Sequence, residues 1–158
     1  MEYDKKKYKN TSGISFGIVV SEYYPEISDR LLSGAVEVLR LHSIKSEVYR
    51  VSGAWEVPFV TRVMVKSGKY RGIIALGCVI RGETSHFDYL CDHSARALMD
   101  ISMEFTLPIG FGILTVENEG QAIARSQLGP NARNKGAEAA EAVISAIDAV
   151  SYSVISNP

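Results

Sequence analysis

What this chain lacks narrows it first. Its 158 residues contain no apolar run approaching the ~18 residues that a membrane-spanning helix needs. The first residues are polar and lysine-rich, without the hydrophobic core of an export signal, so export is not expected and the cytoplasm is the expected compartment. Cysteine is scarce. Cys78 and Cys91 both stand in or near apolar segments, the pattern of buried free thiols in a reducing compartment rather than of a disulfide framework. A basic excess is missing too: the formal net charge is −1. A protein that tracks nucleic-acid phosphates carries surplus Lys and Arg, so nucleic acid is not expected as the main partner. The one positive cluster, Lys5-Lys6-Lys7 with Lys9, lies in a polar tail and reads as solvated. Cys91, Asp92 and His93, taken with His86 and Asp88, fit no familiar zinc spacing, so no metal is expected. Internal repeats and linker-like stretches are also missing, which predicts a flexible arm over 1–13 and one domain over 14–158.

What is present is an alternation of short apolar runs with segments of helical periodicity. Residues 14–20 are continuous, apolar and β-branched, the pattern of a buried strand. After a turn, with Pro25 placed as at a helix start, Ile27, Leu31, Leu32, Ala35, Val38 and Leu39 recur at helical spacing until about His42. Further strands are expected over 47–51, 72–80 and 108–116. Further helices are expected over 57–64, from 85 to about 104, over 119–125 and over 135–150, with the last eight residues frayed. Ser85 and Asp88 stand at a spacing resembling a capping box. Buried apolar strands alternating with helices imply an α/β three-layer αβα sandwich around a four-stranded parallel sheet. In such open sheets ligands bind beyond the carboxyl ends of the strands. That rule gathers 23–24, 52–56, 82–86 and 115–118 on one edge.

One run stands out on that edge: Gly77-Cys78-Val79-Ile80-Arg81-Gly82-Glu83-Thr84-Ser85-His86-Phe87-Asp88-Tyr89. An apolar strand ends in a glycine turn, hydroxyls follow, and a histidine opens an amphipathic helix. Gly82 permits a tight turn, and the N–H groups of Glu83, Thr84 and Ser85 are placed to converge on an anion at a helix N-terminus. The same residues also describe an ordinary strand-to-helix turn with a hydroxyl cap, and the pattern alone leaves both readings open. A helix N-terminus disfavours imidazolium, so His86 is a candidate proton-transfer group; a solvated first-turn histidine is the alternative. His93 and His42 read as structural. Glu56, after Ala54-Trp55, is either a polyol acceptor or a helix-start acid. Tyr23, Tyr24 and Trp55 are either a stacking platform for a flat ring or lids over the core. Arg125 and Lys135 flank a polar loop and are either phosphate ligands or solvated cations.

Taken together, these stretches resemble the lumazine synthase family, from about residue 14 to about residue 150. The resemblance rests on Gly53-Ala54-Trp55-Glu56-Val57-Pro58, on the run from Ala75 to Tyr89, on Phe111-Gly112-Ile113-Leu114-Thr115, on the block from Glu119 to Arg125, and on Asn134-Lys135-Gly136. It implies a flavodoxin-like fold and condensation of 5-amino-6-(D-ribitylamino)uracil with 3,4-dihydroxy-2-butanone 4-phosphate, without metal or organic cofactor. It implies His86 as the proton-transfer residue, and Gly82, Glu83, Thr84, Arg125 and Lys135 as phosphate ligands. Tyr23 is implied to stack on the pyrimidine, Ala54, Trp55 and Glu56 to bind the ribityl chain, Cys78, Val79 and Ile80 to line the ring pocket, and Phe111 to close it from an adjacent subunit. The partners it implies are small-molecule substrates, phosphate as product, and further copies of the chain.

Two departures from the family pattern stand out. Tyr24 occupies a place where the family often has Asn or His. The loop over 126–134 is longer than the common version and lacks the lysine that usually precedes the next motif, with Arg133 the candidate substitute. In this family that loop helps decide whether pentamers close into an icosahedral shell, so a free homopentamer is the expectation. Retention of His86, Arg125 and Lys135 favours an enzyme over a flavin-binding homologue without catalysis. A flavodoxin-like phosphosugar enzyme of another pathway stays open as a further reading.

Overall fold

A computed structural model describes residues 13–155 of the chain. The expected arm lies outside the described residues, apart from Gly13. The elements run β1 (Ser15–Ser21), α1 (Pro25–Leu41), β2 (Lys45–Val51), α2 (Val57–Lys66), β3 (Gly72–Ile80), α3 (His86–Phe105), β4 (Ile109–Val116), α4 (Glu119–Ala124) and α5 (Lys135–Ile155). The strands form one parallel sheet in the order β2-β1-β3-β4.

Strand alternation divides the core between the two faces of the sheet. Phe16, Ile18 and Val20 of β1 and Ile74, Leu76 and Cys78 of β3 pack with α1 and α5. Val19 of β1 and Ile73, Ala75 and Val79 of β3 pack with α2 and α3. A strand covered on both faces must be apolar at every position, which is why β3 reads as an unbroken hydrophobic run. The helices cover one face with α1 and α5 and the other with α2 and α3, which makes the expected three layers.

Helix α5 meets α1 through small residues. Ala137 and Ala140 lie in the shared core, and Gly136 comes so close to α1 that a Cβ there would stand 2.0 Å from the carbonyl oxygen of Leu31. Asn134 fixes this approach. It is buried, its Nδ2 donates to the carbonyls of Arg30 (3.0 Å) and Gln127 (3.1 Å), and its Oδ1 accepts from the N–H groups of Gly136 and Ala137.

Three expectations need correction. β2 is not a buried run: Val48 and Tyr49 are exposed, and most of the strand faces solvent because it lies at the sheet edge. It carries Lys45, Glu47 and Arg50, the charges that keep an open edge from pairing with another chain. The frayed end expected from 151 is instead helix as far as Ile155, and 156–158 lie outside the described residues. Ser85 makes no side-chain cap to α3; it takes helical torsions itself, and the Asp88 carboxylate is engaged by Arg81.

Candidate active site

The strand order reverses between β1 and β3. The chain leaves β1 for β2 on one side and β3 for β4 on the other, and a crevice opens where the two connections diverge. A cavity of about 530 Å³ lies there. Tyr23 and Tyr24 after β1, the segment from Ser52 to Glu56 after β2, and Cys78, Val79 and Ile80 at the end of β3 form its walls; Gly82, Thr84, His86, Phe87 and Leu90 complete it. Three of the four segments expected on this edge therefore meet. The fourth, 115–118, does not line the cavity, because β4 stands beyond β3 from the crevice.

One end of the cavity is a set of hydrogen-bond donors. Residues 82–86 are exposed. Among the described residues, nothing accepts from the N–H groups of Glu83, Thr84 and Ser85, while the His86 N–H donates to Thr84 Oγ1 at a long 3.4 Å. Free N–H groups at the positive end of a twenty-residue helix make a favourable place for an anion. From the sequence Gly82 is expected to permit a tight turn, but the fold does not require glycine there: its backbone is not left-handed and a Cβ would meet nothing within 4 Å. What it contributes is open space on the cavity side.

The other end is lined mainly by apolar and aromatic side chains, with the Glu56 carboxylate among them. Cys78 is buried, and burial pushes its thiol up to about 12, so it is a neutral wall rather than a nucleophile. Burial likewise raises the half-buried Tyr24 phenol, with smaller contributions from neighbouring Tyr23, Cys78 and Glu119. Tyr23 is 71% exposed and meets Tyr24 edge to face, with ring centroids 5.1 Å apart, and Trp55 is 60% exposed across the mouth. Tyr23 and Trp55 are thus exposed at the cavity rather than lids over the core, whereas Tyr24 also packs against the core. The Glu56 carboxylate folds back over Gly53, its Oε2 3.0 Å from where a Cβ would lie.

Of the residues singled out from the sequence, Tyr23, Ala54, Trp55, Glu56, Cys78, Val79, Ile80, Gly82, Thr84 and His86 come together in this cavity. Glu83, Phe111, Arg125 and Lys135 do not line it. Glu83 is exposed beside it in the 82–86 loop. Phe111 is 45% exposed on edge strand β4, in register with Ala75, well back from the β3 terminus. Arg125 and Lys135 are brought to each other: the Lys135 N–H donates to the Arg125 carbonyl at 2.8 Å. Within the chain Arg125 donates to its own helix at the Gln121 carbonyl, and Lys135 pairs with Glu138.

The other candidates divide. His42 is buried at the end of α1, with Nε2 3.5 Å from Glu141 Oε1, a structural role as expected. His93 is not core; it is exposed on α3, with Nδ1 against the Tyr89 carbonyl and its ring beside Trp55. Both cysteines are unbridged, Cys78 buried and Cys91 only partly so. Among the described residues no three His, Cys, Asp or Glu side chains are grouped to hold a metal ion, and no helix is long and apolar enough to cross a membrane.

Sequence reasoning gave no role to Phe87, Leu90 and Arg81. The first two are legible as the i, i+3 apolar face of α3 beneath the cavity. Arg81 is not, because one of its partners, Glu117, lies 36 positions away and meets it only where β3 and β4 end side by side.

The comparisons with known proteins bear on this arrangement. The family model described as 6,7-dimethyl-8-ribityllumazine synthase matches residues 13–151. The chain belongs to this family. Among its relatives, the 6,7-dimethyl-8-ribityllumazine synthase of Nitratidesulfovibrio vulgaris (strain DSM 19637 / Miyazaki F) is 43% identical over 141 residues, covering 87% of this chain and 89% of that protein. The protein of the same name from Methylobacterium radiotolerans is 44% identical over 133 residues, covering 84% and 80%. That from Desulfovibrio desulfuricans is 40% identical, covering 87% and 89%. Similarity at this level spans every element that walls the cavity, so the lumazine synthase family shares the segments from which this site is built.

Proposed function

We propose that the chain condenses 5-amino-6-(D-ribitylamino)uracil with 3,4-dihydroxy-2-butanone 4-phosphate to give 6,7-dimethyl-8-ribityllumazine, in riboflavin biosynthesis. The observation that carries this reading is the division of one cavity into a helix terminus with free N–H groups and a mainly apolar, aromatic-fringed pocket bearing Glu56, with His86 lining the same cavity. A phosphorylated four-carbon ketone and a flat ring bearing a polyol are matched to those two ends.

The chemistry balances as follows. The ring amine adds to the ketone carbonyl and water leaves to form an imine. Loss of the C3 proton then expels phosphate from C4, the enol so formed tautomerises to a C3 carbonyl and a methyl group, and the ribityl-bearing nitrogen closes on that carbonyl with loss of a second water. The phosphate is therefore both handle and leaving group. The N–H groups after Gly82, with the Thr84 hydroxyl, hold it, and His86 moves the proton whose loss accompanies elimination. Tyr23 stacks on the flat ring, Ala54, Trp55 and Glu56 bind the ribityl chain with Glu56 accepting from its hydroxyls, and Cys78, Val79 and Ile80 supply an uncharged wall. Much of the acceleration comes from holding two reactants in one cavity.

Among the described residues, no Lys or Arg of the same chain lines the phosphate end of the cavity. Arg125, Lys135 and Phe111 are accordingly proposed to act on the cavity of a neighbouring copy, which makes the working unit an oligomer, a homopentamer by the character of the 126–134 loop. The cytoplasm is the proposed compartment.

The test mixes purified protein with both substrates and follows lumazine absorbance against a no-enzyme control, since the condensation also proceeds uncatalysed. Acceleration supports the assignment. Folded protein that binds riboflavin yet gives no acceleration would overturn it in favour of a binding homologue.

A further inference from the structure

Arg81 is the first residue after β3, and it ties down the segment that carries the phosphate donors. Its own N–H donates to the Val116 carbonyl at 2.9 Å, fixing the start of the loop to β4. Its side chain reaches forward over the loop. Nη1 and Nη2 hold the two oxygens of Asp88, on the first turn of α3, at 3.2 and 3.0 Å, and Nε donates to Glu117 Oε2 at 2.8 Å. The guanidinium lies over the Phe87 ring, 4.2 Å from its centroid. The loop 82–86 is thus closed at both ends by one residue. Among the described residues, its only other side-chain hydrogen bond is the long one from the His86 N–H to Thr84.

The charge arrangement points the same way. Asp88 puts a carboxylate on the first turn of the helix read as receiving phosphate, Glu117 is linked to it through Arg81, and one guanidinium answers both. Without it, a substrate dianion would approach two uncompensated negative charges, one of them two residues from His86. A forked, planar cation is the group that can hold a bidentate carboxylate, take a second carboxylate and lie flat on an aromatic ring at once.

We infer that Arg81 is a positioning residue for the phosphate end of the site: it sets the 82–86 loop and His86 in place and masks the Asp88 and Glu117 carboxylates from the substrate phosphate. This rests on the reading of that loop as the phosphate site. It assigns no contact between Arg81 and substrate.

The test compares wild type with Arg81→Gln and Arg81→Lys, measuring the dissociation constant for inorganic phosphate, the separate KM values for the two substrates, and thermal stability. Arg81→Gln is expected to raise the phosphate constant and the KM of the phosphorylated ketone by roughly tenfold, the loss set by a charge-assisted contact. The KM of the ribitylaminouracil stays at the wild-type value. Arg81→Lys, which keeps the charge and loses the fork, recovers part of the phosphate affinity. Equal rises in both KM values with no lysine rescue would overturn the inference and leave Arg81 a merely structural clamp; so would an Arg81→Gln protein indistinguishable from wild type. If the wild-type protein neither binds phosphate nor accelerates the condensation, the functional reading fails first, and that result is distinct from either outcome for Arg81.

Discussion

Gly136→Ala tests the close approach on which the α1–α5 face of the fold depends. A Cβ at this position would lie 2.0 Å from the Leu31 carbonyl oxygen, 2.7 Å from its carbon and 2.9 Å from its Cα. These are backbone atoms of a helix interior, so no side chain can rotate away. Ordinary contact begins near 3.4 Å, and 3.4 minus 2.0 leaves 1.4 Å to be found by moving one helix against the other. Overpacking of this kind costs about 1–3 kcal/mol. The same movement strains the Asn134 bonds to the Gly136 and Ala137 N–H groups, worth about 1 kcal/mol each. Against this, replacing glycine by alanine returns only about 0.4–1 kcal/mol through the unfolded state. The net expectation is a loss of about 2–4 kcal/mol, or roughly 5–15 °C in Tm for a chain of this length. Thermal unfolding at one fixed protomer concentration measures it, because association adds to apparent stability. Gly82→Ala is the matched control, since its Cβ meets nothing within 4 Å and should leave stability unchanged. A Gly136→Ala protein melting within about 2 °C of wild type would refute the claim that the α1 and α5 backbones touch here.

Three further outcomes follow. His86→Ala should lower kcat by roughly ten- to hundredfold and leave clear acceleration, because proximity outlasts loss of the proton carrier; a folded variant no faster than the uncatalysed reaction would contradict this. If Arg125 serves a neighbouring cavity, His86→Ala and Arg125→Ala proteins unfolded and refolded together should show more activity than the sum of the two refolded apart, and no gain on mixing would place Arg125 in its own subunit's site. Cys78 should resist alkylation in the native protein at pH 8 and react on unfolding. Its thiol is raised to about 12 in the fold against 9.0 for the free group, so between those values the unfolded state gives up a proton that the folded state keeps. Stability attributable to Cys78 is therefore fully present below pH ~9 and falls as pH rises toward ~12, measured as a declining urea midpoint that Cys78→Ala does not share.

The elements that sequence pattern locates well are those whose burial is uniform. β3 is covered on both faces, so its apolar run declares a strand without knowledge of its neighbours, and α1 shows its buried stripe at Ile27, Leu31, Ala35 and Val38. β2 is harder: its register with β1 holds from Lys45, two residues before the strand expected from Glu47, because backbone pairing rather than side-chain burial defines an edge strand. Polar residues mislead when their partners are distant. Asn134 reads as part of a solvated loop, yet it is buried and bonded to Arg30, 104 positions earlier. Ser85 and Asp88 read as a local cap because nothing nearby announces that Arg81, held also by the distant Glu117, takes the Asp88 carboxylate. In the site itself, the residues legible from sequence are those that follow directly after a strand. The rule that ligands lie at strand carboxyl ends collects them without three-dimensional information, and it fails only at 115–118, where it cannot tell an edge strand from one at the switch point.

The distribution of charge is the argument for the proposal that the site draws on more than one chain. A phosphate at an exposed helix N-terminus gains only about 0.3–1 kcal/mol from the dipole. Substrate-level binding of a dianion needs charge-assisted contacts beyond that. The cations near the strand ends are already engaged: Arg50 with Glu22 and Asp29, Arg81 with Asp88 and Glu117, Lys135 with Glu138. Arg50 and Arg81 shape the loops on either side of the cavity and cannot also reach the ligand without releasing them. Lys135 differs, because Glu138 is a partner one turn along the same helix, a pairing that contributes a few tenths of a kcal/mol and is readily exchanged for a phosphate. Arg125 differs as well, holding only a carbonyl of its own short helix. These two are joined through the hydrogen bond from the Lys135 N–H to the Arg125 carbonyl, and neither lines the cavity of its own chain. On the proposed reading, this cation pair with exchangeable partners and a donor-lined cavity that has no Lys or Arg among its described lining residues are complementary halves of one phosphate site. Assembly of copies is then the operation that joins them, and on that reading oligomerisation serves catalysis as well as stability.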